Sequence, residues 1–375
     1  MHDKENTNMN KEINVDVLHE ELFKSKPLLA FDEKADYQAW KKQIKEKYIE
    51  FLGLDTIALN ACEIKVDLEE TIETDEYIRY RYTFESEKNS IVPCYLLIPK
   101  QGKEKYPVCI CLQGHSTGFH ISIGEKKYDE DDEILKRNTF ALYAIKNGYA
   151  ALCIEQRGMG ERTTPRKDRG WATTCGCYHT ALTALLLGRT LIGERVWDVS
   201  KGIDSLEFFK KSLDLDDITL LGTSGGGTTT YYSACFDERI KIAVPCCAIC
   251  TYKDSIGEFA HCSCNYIPNI ARYMDMGELA CLIAPRKLLV CNGEDDAIFL
   301  FKGTKEVYSV IEKIYKKEGV PGNAKLVVYP HAPHAFEPNI TFTELNKIRK
   351  QLWYYQLKWK KYLNLIAITI CLTQP

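Results

Sequence analysis

The chain has 375 residues, enough for one large α/β domain with an N-terminal addition or for two domains. A hydrophobic share of 45% and a charged share of 27% are those of a soluble globular protein. A formal net charge of −3 excludes the basic field that nucleic acid or an anionic membrane surface would call for.

The opening MHDKENTNMNKEINVD is polar and lacks the apolar core of a secretory signal, so the expected compartment is cytoplasmic. Residues 1–61 are expected to form an extension with a disordered start and an amphipathic helix. In that helix Tyr37, Trp40, Ile44, Tyr48 and Phe51 recur at three- and four-residue steps, and Gly53 is the stop signal. An α/β body is expected over 62–362 and an apolar tail over 363–375. Ile64–Val66, Tyr77–Tyr82 and Val92–Ile98 read as antiparallel strands. Tyr106–Leu112 (YPVCICL), Tyr149–Ile154, Ile218–Leu221, Ile240–Ile249, Lys287–Cys291 and Lys325–Tyr329 are short apolar runs, as strands covered on both faces would be.

Helical patterns fall between these runs, over Asp132–Asn147, along Val196, Val199, Ile203 and Leu206, and along Val307, Ile311, Ile314 and Tyr315. A Thr341-x-x-Glu344 capping box is expected to open a last helix bearing Leu345, Ile348, Leu352, Trp359 and Tyr362. The alternation implies an α/β fold with a mostly parallel central sheet and helices on both faces, preceded by a helical and antiparallel-strand extension. The irregular stretch over about 158–195 holds Arg166, Trp171, His179 and an apolar run from Ala181 to Leu187. As an insertion after a strand, it is where a pocket wall would arise. The tail LNLIAITICL is far shorter than the roughly 20 residues of a membrane span.

The chemistry centres on ITLLGTSGGGTTTYY, residues 218–232. Its Gly222-Thr223-Ser224-Gly225-Gly226 is a G-x-S-x-G pattern between an apolar strand and a helix-compatible run. A serine at the tip of such a sharp turn is strained, and side chains two residues away on either side would collide, so glycine is needed there. The turn lifts the serine oxygen out of the sheet, beside the free N–H groups of a helix N-terminus. A serine nucleophile needs a base, and a histidine base needs an acid to fix its tautomer. Loops after successive parallel strands gather on one edge of an open sheet. An acid follows the KLLVC strand, where Asp296, in a G-x-x-D loop from Gly293, is preferred to Asp295. A histidine follows the KLVVY strand, where His334 is preferred to His331. The order Ser, Asp, His is the one this architecture uses. Gln113-Gly114-His115 directly follows a central strand, so the backbone N–H of His115 is expected to join that of Gly225 in holding an oxyanion, unless His115 is a pocket side chain. Arg157 is expected to brace its own loop. Trp171, His179, His261 and Tyr266 are candidates for pocket walls.

Many of the sixteen cysteines lie inside apolar runs and read as small buried hydrophobes, Cys247-x-x-Cys250 included. Two denser clusters, Cys175-Gly-Cys177-Tyr-His179 and His261-Cys262-Ser-Cys264, offer zinc-type donors but lack the usual C-x₂₋₄-C spacing, so no metal is expected.

On the Gln113-Gly114-His115 loop, Arg157-Gly158-x-Gly160, the Ser224 elbow, Gly293-x-x-Asp296 and His334-x-Phe336, the chain resembles the α/β-hydrolase superfamily. Within it, the likeness is to bacterial acetyl-xylan-esterase-like and dienelactone-hydrolase-like serine esterases, over roughly residues 65–340. The resemblance implies a Ser224-His334-Asp296 triad, oxyanion donors at Gly225 and His115, no cofactor, and a small-molecule ester substrate. Relative to the narrower acetyl-xylan esterase and cephalosporin-C deacetylase family, Gly225 stands for glutamine, Met159 for glutamine and Ala335 for glutamate, so the fit to that family is incomplete, and the expected substrate is a short-acyl ester of the acetyl-esterase kind. The competing classes are an amidase or a peptidase of the prolyl-oligopeptidase type, for which the roughly 100 residues before the sheet leave no room for a propeller, and a non-catalytic binding protein on the same fold.

Overall fold

A computed structural model describes residues 15–163 and 176–349 of the chain. The expectations for the disordered start, for Arg166 and Trp171, and for the last helix beyond residue 349 with the apolar tail lie outside the described residues.

The apolar runs become a nine-stranded sheet in the order β1-β2-β3-β5-β4-β6-β7-β8-β9. The strands are β1 (Asp67–Glu73), β2 (Tyr77–Glu87), β3 (Ser90–Pro99), β4 (Tyr106–Leu112), β5 (Ala150–Ile154), β6 (Leu213–Thr223), β7 (Ile240–Cys246), β8 (Lys287–Gly293) and β9 (Ala324–Tyr329). From β5 across to β9 every pairing is parallel, while β1, β2 and β3 are antiparallel to their neighbours. The two-residue period of β4 sorts its side chains onto two cores. Val108, Ile110 and Leu112 face one, Cys109 and Cys111 the other.

The first core is covered by α2 (Tyr37–Leu52), α3 (Leu54–Ala58), α7 (Leu191–Ser205), α8 (Gly225–Phe236) and α11 (Phe301–Lys317). The second is covered by α5 (Phe140–Lys146) and by a final helix that begins at 338 and contributes Phe342, Leu345 and Ile348. Shorter helices are α1 (Val15–Phe23), α4 (Asp131–Leu135), α6 (Cys177–Leu186), α9 (Ile270–Tyr273) and α10 (Met276–Leu279). The N-terminal helices share the sheet's own core. Asp36 caps α2 by accepting from Gln38 and Ala39 N–H, Gly53 closes it in the left-handed region at φ 70°, and Trp40, Ile44 and Tyr48 are buried. The Tyr48 hydroxyl donates to Tyr232 O on α8 at 2.6 Å. Each such side chain removed from water contributes about 1.5–3 kcal/mol. No helix among the described residues is long and apolar enough to cross a membrane.

Three expectations are corrected. The first strand is Asp67–Glu73 rather than Ile64–Val66, and all of its residues are exposed. Asp132–Asn147 is not one helix but two short ones, α4 and α5. Thr341 is not a helix cap: it lies inside the final helix, its hydroxyl donating to Glu337 O, while Glu344 pairs with Lys325.

Candidate active site

The carboxyl ends of β4, β6, β8 and β9 lie along one edge of the parallel sheet, and the four singled-out loops leave from it. Ser224 sits between β6 and α8 at φ 52°, ψ −124°. That left-handed backbone costs on the order of 1–3 kcal/mol for a residue with a side chain. Its flanking glycines are sterically required: a Cβ at Gly222 would come within 2.4 Å of Gly226 O, and one at Gly226 within 2.2 Å of Leu112 O. The Ser224 N–H is tied to Cys246 O on β7 at 2.9 Å.

Asp296 and His334 meet. His334 Nδ1 is 2.8 Å from Asp296 Oδ2, while Asp296 Oδ1 accepts the N–H groups of Ile298 and Phe299 at 2.8 and 2.9 Å. The carboxylate is buried and the imidazole half-buried, stacked on Phe299 with centroids 5.9 Å apart. The rival residues are elsewhere: Asp295 and His331 are exposed, and His331 Nδ1 faces Glu294 at 3.6 Å. Among the described residues no hydrogen bond joins Ser224 Oγ to His334.

The loop after β4 lies against the elbow. A Cβ at Gly114 would be 3.1 Å from Ser224 Cβ, and one at Gly225 would be 2.7 Å from the His115 ring. Two residues missed in the sequence hold this loop from below. Glu155 Oε1 accepts from Gln113 Nε2 at 2.8 Å, and Gln156 Nε2 donates to Gln113 O at 2.7 Å. Both directly follow β5, which was the available signal. Arg157 braces its loop as expected, with Asp198, Glu87 and Glu194 as carboxylate partners.

The pocket candidates separate. His261 is near the pair: its ring packs edge-on against Phe299 at 5.2 Å, and its Nε2 lies 2.9 Å from Ser255 Oγ. Burial, with repulsion from His334 and His115, holds its pKa below the usual imidazole value, against support from Ile298. Tyr266 is exposed, and it lines a cavity of about 780 Å³ with Phe23, Tyr252 and Phe259 that includes none of Ser224, Asp296 and His334. His179 is an exposed residue on α6. Trp171 lies outside the described residues.

Two donor clusters stand out among the described residues. Cys247 lies with Asp296 and His334, but its buried thiol is pushed well above its usual pKa by burial and faces Ala335 O at 3.3 Å, so it is a neutral neighbour. The other is His115 with Cys177, Cys262 and Cys264. The two stretches with zinc-type donors, for which no metal was expected, thus come together in part: Cys177 joins Cys262 and Cys264, with His115 in the place of His179 and His261. Packing opposes charge on His115, but hydrogen bonds to Cys177 and Cys264 outweigh it and push its pKa up to about 9.

Residues 9–191 match the Abhydrolase family. A Bacillus subtilis (strain 168) protein described as a hydrolase, YtaP, is 26% identical over 230 residues, which is 60% of this chain and 73% of that protein. Among solved structures, a Bacteroides fragilis protein described as an acetyl xylan esterase superposes with a TM-score of 0.68 at 17% identity, covering 85% of this chain and 84% of the other. A glucuronoyl esterase from Solibacter usitatus does so with a TM-score of 0.63 at 14% identity, covering 87% and 97%.

Proposed function

We propose that this α/β-hydrolase-fold protein is a serine esterase that cleaves short-acyl carboxylic esters through an acyl-enzyme. The observation that carries the reading is the convergence of a strained Ser224 with the 2.8 Å Asp296–His334 pair on one sheet edge. In the proposed reaction Ser224 Oγ attacks the acyl carbon as His334 Nε2 takes its proton. Asp296 holds the Nδ1–H tautomer and stabilises the imidazolium. The N–H groups of Gly225, at the start of α8, and of His115 receive the oxyanion. His334 then protonates the leaving alcohol, and water, activated by the same imidazole, releases the acid. No step needs a cofactor. The preference for a short acyl group rests on the acetyl xylan esterase description of the Bacteroides fragilis neighbour.

The test is hydrolysis of p-nitrophenyl esters from acetyl to octanoyl by wild type and Ser224→Ala, with fluorophosphonate labelling. Turnover on the short chains, a loss of on the order of 10⁴-fold or more in the variant, and labelling at Ser224 are expected. Undiminished turnover in Ser224→Ala would sink the assignment.

A further inference from the structure

Four donor side chains converge beside the elbow from three separate segments: His115 after β4, Cys177 at the start of α6, and Cys262 and Cys264 in the loop before α9. Their ring-nitrogen and sulfur atoms all lie within 4.8 Å of one another, and His115 Nε2 is 3.3 Å from Cys264 Sγ. Zinc bound tetrahedrally, with Zn–S about 2.3 Å and Zn–N about 2.0–2.1 Å, sets its donors about 3.6–3.8 Å apart. Shifts of about 1 Å at most separate the observed cluster from that geometry. A sulfur-rich set with one imidazole suits zinc and disfavours magnesium or calcium, which take oxygen donors.

Charge supplies an independent observation. The Arg195 guanidinium is 1% exposed. Its NH2 donates to Cys177 Sγ at 3.0 Å, its Nε and NH2 donate to Arg157 O at 3.0 and 2.6 Å, and its NH1 has no hydrogen-bond partner among the described residues. Among the described residues it forms no ion pair with a carboxylate. A buried cation without a counter-charge is costly. Three thiolates and one Zn²⁺ sum to −1, which Arg195 neutralises, while its N–H group on Cys177 is the outer-shell hydrogen bond that metal thiolates require.

We propose that His115, Cys177, Cys262 and Cys264 form a closed, structural zinc site that staples α6 and the loop before α9 to the loop after β4. Binding replaces three S–H bonds with S–Zn bonds and frees one imidazole nitrogen of His115 for an N–Zn bond, releasing one proton from each thiol and one from the imidazole wherever it is protonated, with no change of oxidation state. All four positions of the ion are filled by protein, so it positions the loop of His115 rather than activating water. Ligation uses the His115 imidazole and not its backbone N–H, so the proposal does not depend on the esterase reading.

The test is metal content of the full chain purified without chelator, read by inductively coupled plasma mass spectrometry. About one zinc per chain is expected in wild type and in Cys62→Ser, whose half-buried thiol lies outside the cluster, and less than a tenth of that in Cys177→Ser/Cys264→Ser. Reduced, metal-free protein titrated with Co²⁺ should develop thiolate-to-cobalt charge-transfer absorption that the double variant lacks. If the double variant does not fold, His115→Ala, altered at an exposed residue, replaces it and should bind Co²⁺ at least tenfold more weakly. Wild type that carries no zinc and takes up no Co²⁺ with thiolate character would overturn the proposal, as would variants that keep the full metal content.

Discussion

His334 Nδ1 faces Asp296 Oδ2 at 2.8 Å while the other Asp296 oxygen is already held by the backbone of Ile298 and Phe299. The carboxylate therefore cannot turn, and it accepts only from the Nδ1–H tautomer. Asp296→Asn keeps the shape but presents an amide that stabilises the wrong tautomer, with Nε2 protonated and unable to take the Ser224 proton. The expected result is a kcat lower by about 10⁴-fold with KM changed little and the fold retained. His331→Ala, altered at an exposed side chain, should stay within about twofold of wild type. Steady-state kinetics on p-nitrophenyl acetate checks both, and an active Asp296→Asn would reduce the pair to a structural contact.

Gly226 tests the elbow by sterics alone. A Cβ there would lie 2.2 Å from Leu112 O and 2.4 Å from Gln113 O, both backbone atoms that cannot swing aside. Gly226→Ala should separate the Ser224 turn from the loop of His115, cutting turnover at least a hundredfold and lowering the melting temperature by several degrees. Gly322→Ala, where a Cβ meets nothing within 4 Å, should change stability by less than about 0.5 kcal/mol. Equal melting temperatures and activities for the two variants would contradict the geometry.

What was legible in the sequence follows from how each element is stabilised. The Tyr106–Leu112 strand is buried on both faces, so its whole length is apolar and its bounds are readable. The elbow is readable because backbone collisions exclude side chains at Gly222 and Gly226. By contrast β1 buries nothing. Pairing with β2 and the ion pairs Arg79–Glu70 and Arg81–Glu69 hold it, and neither leaves a hydrophobic period. Thr341 and Glu344 have capping-box spacing, yet the helix starts earlier and their side chains serve the helix interior and Lys325. The donor cluster was legible only in part: Cys177, Cys262 and Cys264 stood out as zinc-type donors, but spacing rules pair neighbours in sequence, and His115 joins them only through the fold.

Arg157 should be a costly buried charge to remove. Its guanidinium pairs with Glu87 at 2.6 Å, Asp198 at 2.9 Å and Glu194 at 3.2 Å. Burial works against the Asp198 carboxylate, but Arg157 and Arg162 hold its pKa well below the usual range. Deleting one partner of a buried network leaves the others uncompensated, at about 3–5 kcal/mol. Arg157→Ala should show that loss in urea unfolding, and Arg157→Lys should not restore it, because an ammonium cannot reproduce the forked contacts. A loss under about 1 kcal/mol would show that Arg162 and Arg189 suffice.

Glu155 makes the stability of the site depend on pH. Its side chain is fully buried beneath the loop of His115, and burial pushes its pKa from an ordinary 4.5 up to about 7, against the N–H groups of Phe119 and Glu161 that favour the charged form. The sign follows from proton counting. Between about pH 4.5 and 7 the folded chain keeps a proton that the unfolded chain has lost, so unfolding releases it and stability falls as pH rises. The contribution is fully present below pH 4.5 and gone once pH has passed through 7, a difference on the order of 3 kcal/mol. Glu155→Gln keeps a neutral, similarly shaped group at every pH. Its unfolding free energy should therefore match wild type near pH 5 and exceed it near pH 8. Urea unfolding of both proteins at pH 5, 6.5 and 8 decides the matter. A difference between them that does not change with pH would mean that Glu155 stays ionised in the folded chain, so that the N–H groups of Phe119 and Glu161 outweigh its burial.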